Sequence, residues 1–382
     1  MGTKLNTAER CALVERNTAE VMGHDELAGL FESGAQLRHY IGFEISGKIH
    51  LGTGLASMSK VRDFLEAGID CTIFLADWHT WINDKLGGDR DVIRRVATGY
   101  FTTGMRAALE CVGADPNAVT VVLGSELYTE RPDFWATVVD VGKHTSLARM
   151  QRSITIMGRA EGDNVDFAKL LYPAMQAADV FTLGAHIAHA GMDQRKAHVI
   201  ARDAALQMRI NALRGNDGKP IKPLAVHHPL ILGLRKPPQW PIPEGKERDV
   251  LSSMKMSKSD PDSAVFIHDS PDDIRRKVGK AFCTPGDVTF NPILDWTEKL
   301  VFGLGDSELV VDRTPQNGGP VTFGAFEEVR DAFADGKLHP MDAKAALASR
   351  LIDRLEPARK RFNEPEAHAQ WEELEAQVAP RR

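Results

Sequence analysis

The sequence predicts an α/β protein, a doubly wound parallel sheet carrying a helical insertion and followed by a smaller helical domain. Three observations lead there. Short apolar runs bounded by turn residues, "QLRHYIGF", "CTIFLAD" and "AVTVVLGSEL", alternate with stretches of helical period such as "LASMSKVRDFLEAG" and "DVIRRVATGYFTTGMRAALECVG", the pattern of parallel strands joined by crossover helices. From Pro132 to about Gly184 the pattern is mostly helical, too long to be one crossover. Four prolines in "RKPPQWPIPEGKERD" mark an extended junction, beyond which helical periodicity resumes and lasts to the end.

In chain order, residues 7–33 read as charged helices opened by Thr7 and Asp25 and form an N-terminal extension, 1–33. The sheet domain follows over 34–250. Its first strand runs into the glycine-rich turn "SGKIHLGTG" and an amphipathic helix; "CTIFLAD" and "AVTVVLGSEL" are the second and third strands. The insertion occupies about 132–170, a helix covers "DQRKAHVIARDAALQM", and "PLAVHHPLIL" is a further strand. The segment 251–265 is a loop, and 266–382 is the C-terminal helical domain.

Composition limits the function classes. The chain of 382 residues is 43% hydrophobic with a formal net charge of -6, which suits a globular protein of more than one core and excludes a uniformly basic nucleic-acid coat. Cys11, Cys71, Cys111 and Cys283 form no CxxC pair, as expected of a reducing cytosol. The first residues have neither an apolar signal core nor an Arg-rich transit pattern. No apolar run approaches the roughly 20 residues that span a bilayer, so a cytoplasmic protein without a membrane partner is expected.

Two local patterns carry chemistry. "SSMKMSKSDPDSA", residues 252–264, has no strand alternation and no apolar helical face. A hydroxyl-rich, doubly cationic loop is either a solvated turn or a clamp for a polyanion. The second pattern is "YIGFEISGKIHLGTG": Gly42 ends a strand, then His50, Gly52 and Gly54 enter a helix. In a doubly wound sheet such turns present backbone N–H groups to anions, although an isolated HxG is common and this one is neither a P-loop nor GxGxxG.

Taken in order, His50-Leu51-Gly52-Thr53 and Lys255-Met256-Ser257-Lys258-Ser259 resemble the HIGH and KMSKS signatures of class I aminoacyl-tRNA synthetases. "YPAMQAADV", "AGMDQRKAHVIAR" and "LHPMD" narrow the resemblance to tyrosyl-tRNA synthetases of the archaeal and eukaryotic type, from about residue 30 onward. The resemblance implies a Rossmann-type catalytic domain, an anticodon-binding C-terminal domain and a homodimer formed through the insertion. It implies a ligase that joins L-tyrosine to tRNA(Tyr) with ATP and Mg²⁺.

By residue, it implies an ATP site of Gly42, His50, Gly52, Lys255, Met256, Ser257, Lys258 and Ser259, with His50, Gly52, Thr53, Lys255 and Lys258 catalytic. Tyr40 and Asp179 match residues that bind the phenolic hydroxyl; Tyr172, Gln176 and Gln194 match those around the α-amino group, and Phe74 and His79 would line the pocket. Arg152 and Arg195 match readers of the first acceptor base pair. His339 and Asp342 match the anticodon reader, with a helix N-cap as the plainer role for Asp342. The chain departs from the pattern at Thr53, where the signature has a second histidine, at Ile45, often proline, and at Asn317, often aromatic. A tryptophanyl enzyme, a small nucleotidylyltransferase and a silent RNA-binding paralogue are the rivals. The histidines at 186, 189, 198, 227 and 228 make no HExxH or Cys-His knuckle, so no metal site is expected.

Overall fold

The computed structural model describes residues 5–378 except 244, 246–249, 251, 252, 257 and 259. Its centre is a six-stranded sheet built from β1 (Glu20–Met22), β2 (Arg38–Phe43), β3 (Asp70–Leu75), β4 (Val119–Leu123), β5 (Ile187–Gly191) and β6 (Leu224–His228). The spatial order is β1-β6-β5-β2-β3-β4. All neighbours are parallel except β1, which pairs antiparallel with β6 through Glu20↔His227, Val21↔Val226 and Met22↔Ala225.

The chain builds outward from β2 to β4 and then returns to the other side of β2 as β5, with Tyr40 opposite Ala188. That reversal leaves a crevice at the carboxyl ends of β2 and β5, where ligands bind in open α/β sheets. Alternation along the strands sorts side chains to two layers. Ile41, Ile73 and Val226 join one buried cluster, while Tyr40, Phe74 and Ala188 join the other.

The first layer is covered by α1 (Thr7–Glu15), α3 (Ser57–Glu66) and α6 (Thr102–Cys111); α2 (His24–Glu32) packs on α1. α1 begins with a capping box, in which the Asn6 side chain accepts from the Glu9 N–H and the Glu9 carboxylate accepts from the Asn6 N–H. The extension is thus not purely helical: β1 lies between its two helices and adds an edge to the sheet. A buried ammonium, Lys60 of α3, donates to the carbonyls of Leu13 (2.8 Å) and Val14 (3.2 Å) at the end of α1. It is balanced by Asp63 at 3.1 Å.

The second layer is α8 (Phe134–Lys143), α9 (Leu147–Ser153), α10 (Phe167–Thr182) and α11 (Arg195–Ala204). α4 (Asp77–Ile82), α5 (Arg90–Val96) and α7 (Gly124–Glu130) lie at the carboxyl edge of β3 and β4. "GSEL", read with the third strand, begins α7 instead, because β4 ends at Leu123.

Beyond the junction come α12 (Pro271–Gly279), α13 (Pro292–Leu300), α14 (Phe326–Ala334), α15 (Pro340–Arg354), α16 (Glu356–Phe362) and α17 (Pro365–Val378). A short antiparallel ribbon, Leu309–Val311 with Val321–Phe323, interrupts them. These helices share the first layer's core through residues such as Trp296, Phe362 and Leu374. α17 returns to the sheet domain: Gln370 accepts from Thr103 (2.7 Å), Glu373 pairs with Arg95 (2.8 Å), and Glu375 pairs with Lys48 of the glycine-rich turn.

Candidate active site

A cavity of about 440 Å³ opens at the crevice between β2 and β5. The two sequence patterns meet at one end of it. β2 leads through the turn to His50, Gly52 and Thr53, all of which line the cavity, and a π-helical turn, Gly52–Ala56, passes into α3. The Thr53 N–H donates to His50 Nδ1 (3.2 Å), so the proton sits on Nε2, 3.3 Å from the Thr53 hydroxyl. Burial, with the charges of Lys258 and Lys255, pushes the His50 imidazole down to about 3. It is therefore a neutral donor rather than a cation.

Backbone hydrogen bonds clamp the later loop to this turn. Leu51 N–H donates to Val265 O and Ile267 N–H to Ile49 O, both at 3.0 Å, while Met256 N–H donates to Ile231 O at 2.8 Å. Lys255 pairs with Asp193. Lys258 Nζ donates to Ser46 Oγ at 3.1 Å and stands 5.4 Å from the Phe101 ring centre. Desolvation lowers its pKa from 10.5 to about 8, opposed by Glu44 and assisted by Lys85 and Lys255. Met256 and both lysines line the cavity; Ser257 and Ser259 lie outside the described residues.

At the other end Tyr40 and Asp179 stand together. Tyr40, 2% exposed, points from β2 toward α10, where Asp179 is fully buried. Burial drives the Tyr40 phenol and the Asp179 carboxyl well above their ordinary values, while the hydroxyls of Tyr128 and Tyr40 pull the carboxyl back down. Asp179 Oδ1 accepts from the Tyr128 hydroxyl at 2.8 Å; Oδ2 has no hydrogen-bond partner among the described residues and lies 3.7 Å from His79 Nε2. Gly42 is required here for a geometric reason: a Cβ at that position would sit 2.6 Å from the Tyr40 hydroxyl. His79 lines the cavity. Phe74 does not; it packs behind Tyr40, with ring centres 5.7 Å apart.

The middle of the cavity is polar. Tyr172 and Gln176 lie one turn apart on α10, whose first turn is capped by Asp166. Gln176 Nε2 donates to Gln194 Oε1 (3.4 Å), and Gln194 donates to Ile156 O (3.0 Å). Gln176 Oε1 is buried without a partner. Glu44, Ser46, Lys85 and Asp193 also line the space with no role expected from sequence, as does His228, weighed from sequence only as a metal ligand. Each reaches it from a loop or strand end without a local signature.

The residues matched to RNA contacts lie elsewhere. Arg152, on α9, is exposed, and its carbonyl accepts from Lys196 (2.7 Å). Arg195, at the start of α11, makes two bonds to Glu20 of β1, 2.7 and 2.9 Å. In the C-terminal domain the N-cap of α15 is His339, whose Nδ1 accepts from the Met341 N–H (3.2 Å). Asp342 is thus not the cap but sits in the first turn, where its carboxylate has no ion pair or hydrogen bond among the described residues. Asn317 ends a short 3₁₀ turn before Gly318. No group of three or more His, Cys, Asp or Glu side chains converges to hold a metal ion among the described residues. The buried histidines instead bond to one another, His189 to His39 (3.1 Å) and His228 (2.8 Å), and His198 to His227 (3.0 Å).

The profile of tRNA synthetases class I (W and Y) matches residues 32–356. A tyrosine–tRNA ligase of Thermococcus sibiricus is 54% identical over 361 residues, 94% of this chain and 96% of that protein. One from Pyrococcus furiosus is also 54% identical, over 360 residues and the same shares of each chain. The crystal structure of a tyrosyl-tRNA synthetase from Pyrococcus horikoshii complexed with L-tyrosine superposes with a TM-score of 0.93 at 52% identity, covering 96% of this chain and all of that one. A cavity joining the two signature segments, a profile match over most of the chain and relatives above half identity lead to one conclusion: the chain belongs to the class I tRNA synthetases of the tryptophan and tyrosine group.

Proposed function

We propose that this cavity activates L-tyrosine with ATP and passes the tyrosyl group to the 3′-terminal ribose of tRNA(Tyr). In the first step a carboxylate oxygen of tyrosine attacks the α-phosphorus, the bond to the bridging oxygen breaks, and pyrophosphate leaves. In the second, a ribose hydroxyl attacks the tyrosyl carbonyl carbon and AMP leaves. No protein nucleophile is needed, so catalysis is positioning and electrostatic stabilisation.

The observation that carries the reading is the pairing of two ends in one space. Tyr40 and an unpartnered oxygen of Asp179 face one end, and His50, Lys255 and Lys258 the other. The phenol end suits tyrosine over phenylalanine: Asp179 accepts a hydrogen bond from the ligand's hydroxyl and Tyr40 supplies a second polar contact, both of which phenylalanine would leave unmet. Tyr172, Gln176 and Gln194 take the α-amino group. Phe74 acts from behind, and His79 closes the ring side.

At the phosphate end, Gly42 and Gly52 let the nucleotide approach the backbone beside Met256, and Ser257 and Ser259 are assigned to ATP by their place in the signature alone. His50 Nε2–H and the Thr53 hydroxyl donate to phosphate oxygens. Lys255 and Lys258 balance charge that grows on the leaving pyrophosphate, an effect larger in the transition state than before it. Among the described residues no carboxylate cage converges; Mg²⁺ would arrive with the triphosphate and supply further charge neutralisation.

Arg152 and Arg195 approach the acceptor end of tRNA, and His339 with the carboxylate of Asp342 reads a single-stranded anticodon base. Trp135, Val139, Leu147 and Phe167 are exposed along the insertion, which supports a homodimer formed there. The test is exchange of labelled pyrophosphate into ATP, without tRNA, across the twenty amino acids. Exchange with tyrosine is the expected result; exchange with tryptophan, or with none, overturns the reading.

A further inference from the structure

A third tyrosine takes part in the phenol end without touching the cavity. Tyr128, on α7, is buried, and its hydroxyl donates to Asp179 Oδ1 at 2.8 Å. Its ring is held by its neighbours. It stacks on Phe134 with centres 3.6 Å apart and planes 14° from parallel, and it meets Trp78 edge-on at 6.2 Å. α7 itself is anchored, since the Ser125 N–H donates to Asp77 Oδ1 at 2.9 Å.

The consequence lies in the division of one carboxylate. Asp179 has two oxygens in an apolar, fully buried setting. Tyr128 occupies Oδ1 from the side of α7, and Oδ2 alone is left without a hydrogen bond. A carboxylate so tethered cannot turn its second oxygen away; the Tyr40 hydroxyl is near enough to pull the carboxyl down yet leaves Oδ2 without a hydrogen bond among the described residues. We propose that Tyr128 is a positioning residue for amino-acid selection: it fixes the Asp179 carboxylate so that Oδ2 points to the ligand's phenolic hydroxyl.

Without that hydroxyl, Oδ1 would lose its bond to Tyr128, and burial would further favour a proton on the acid. Its strength as an acceptor for the phenol would fall. A purely structural tether between α7 and α10 would instead support the binding of any amino acid equally. The proposal rests on the tyrosine reading above, and the two fail differently.

The experiment uses the full chain with Tyr128→Phe, which keeps the ring and its stack on Phe134. Pyrophosphate exchange is measured with tyrosine and, at high enzyme concentration, with phenylalanine. The expected result is a fall in kcat/KM for tyrosine of about ten- to a hundredfold, the range for one hydrogen bond to a charged group. It is carried by KM because the phenol is remote from the reacting phosphorus, while kcat/KM for phenylalanine stays unchanged. An equal fall for both amino acids, or no fall for either, overturns the proposal. If the unsubstituted chain shows no preference for tyrosine, the earlier reading fails whatever Tyr128 does.

Discussion

Lys258 offers the sharpest quantitative test of the phosphate end. Its ammonium is bonded to Ser46 at 3.1 Å beside the Phe101 ring, and desolvation, with repulsion from Lys85 and Lys255, takes its pKa from 10.5 to about 8. That difference corresponds to about 3 kcal/mol by which the empty site disfavours the bare cation. A polyanion restores what desolvation removed, so the interaction strengthens as charge moves onto the leaving oxygens. Lys258→Gln keeps a donor and removes the charge. It should lower kcat for adenylate formation by about 10²- to 10³-fold, the cost of losing one preorganised donor, with KM for tyrosine little changed. The sign of the pH effect follows: lysine is active when protonated, and a lowered pKa means activity is lost as pH rises through about 8, where an ordinary lysine keeps its proton to about 10. In kcat/KM for ATP, which reports the free enzyme, the unsubstituted chain should show an alkaline fall near 8 that Lys258→Gln abolishes. A profile flat to about pH 10, or a variant with kcat close to the starting protein, would refute the role given to this ammonium.

Four further substitutions test separate parts. Asp63 pairs with Arg16, Arg62 and the buried Lys60; Asp63→Ala should cost about 3–5 kcal/mol by stranding a buried cation, seen in the urea midpoint. Burial raises the Asp63 pKa, but those cations hold it below its usual value. Its contribution is therefore present above about pH 4 and is lost as pH falls through the lower folded-state value; the variant should lack that acid-dependent loss. Gly42→Ala, which places a methyl 2.6 Å from the Tyr40 hydroxyl, should raise KM for tyrosine about tenfold or more; an unchanged KM would show that the phenol shifts freely. Asp342→Ala should weaken tRNA charging with stability within about 0.5 kcal/mol. His339→Ala should destabilise the protein on the order of 1 kcal/mol, because His339 caps α15; a marked stability loss in Asp342→Ala alone would reverse the two roles.

The sheet domain was legible where a segment's own pattern matched its environment. β2 and β3 are apolar runs buried on both faces, as covered parallel strands must be. β1 and β5 carry no such pattern. Glu20–Met22 is three residues in charged surroundings, and Ile187–Gly191 carries a histidine that is buried only because His39 and His228 bond to it. His227, beside β1, likewise answers to His198. The signature residues of the site could be found in the string because the resemblance supplied their roles. The pairing of Lys255 with Asp193, 62 positions apart, and of Tyr128 with Asp179, 51 apart, could not, since nothing local distinguishes a residue whose partner arrives through the topology. The same limit applies to Asp342: a short acidic side chain near a helix start suits a cap, and only backbone geometry shows that His339 fills that place.

The most direct measurement is a crystal structure of the full chain with a non-hydrolysable analogue of tyrosyl-adenylate. The expected electron density has the phenolic oxygen against Asp179 Oδ2 and Tyr40, and the phosphate surrogate beside His50 and the ammonium of Lys258. Density with the phenol at the lysine end, or an analogue bound outside this cavity, would contradict the assignment of both ends.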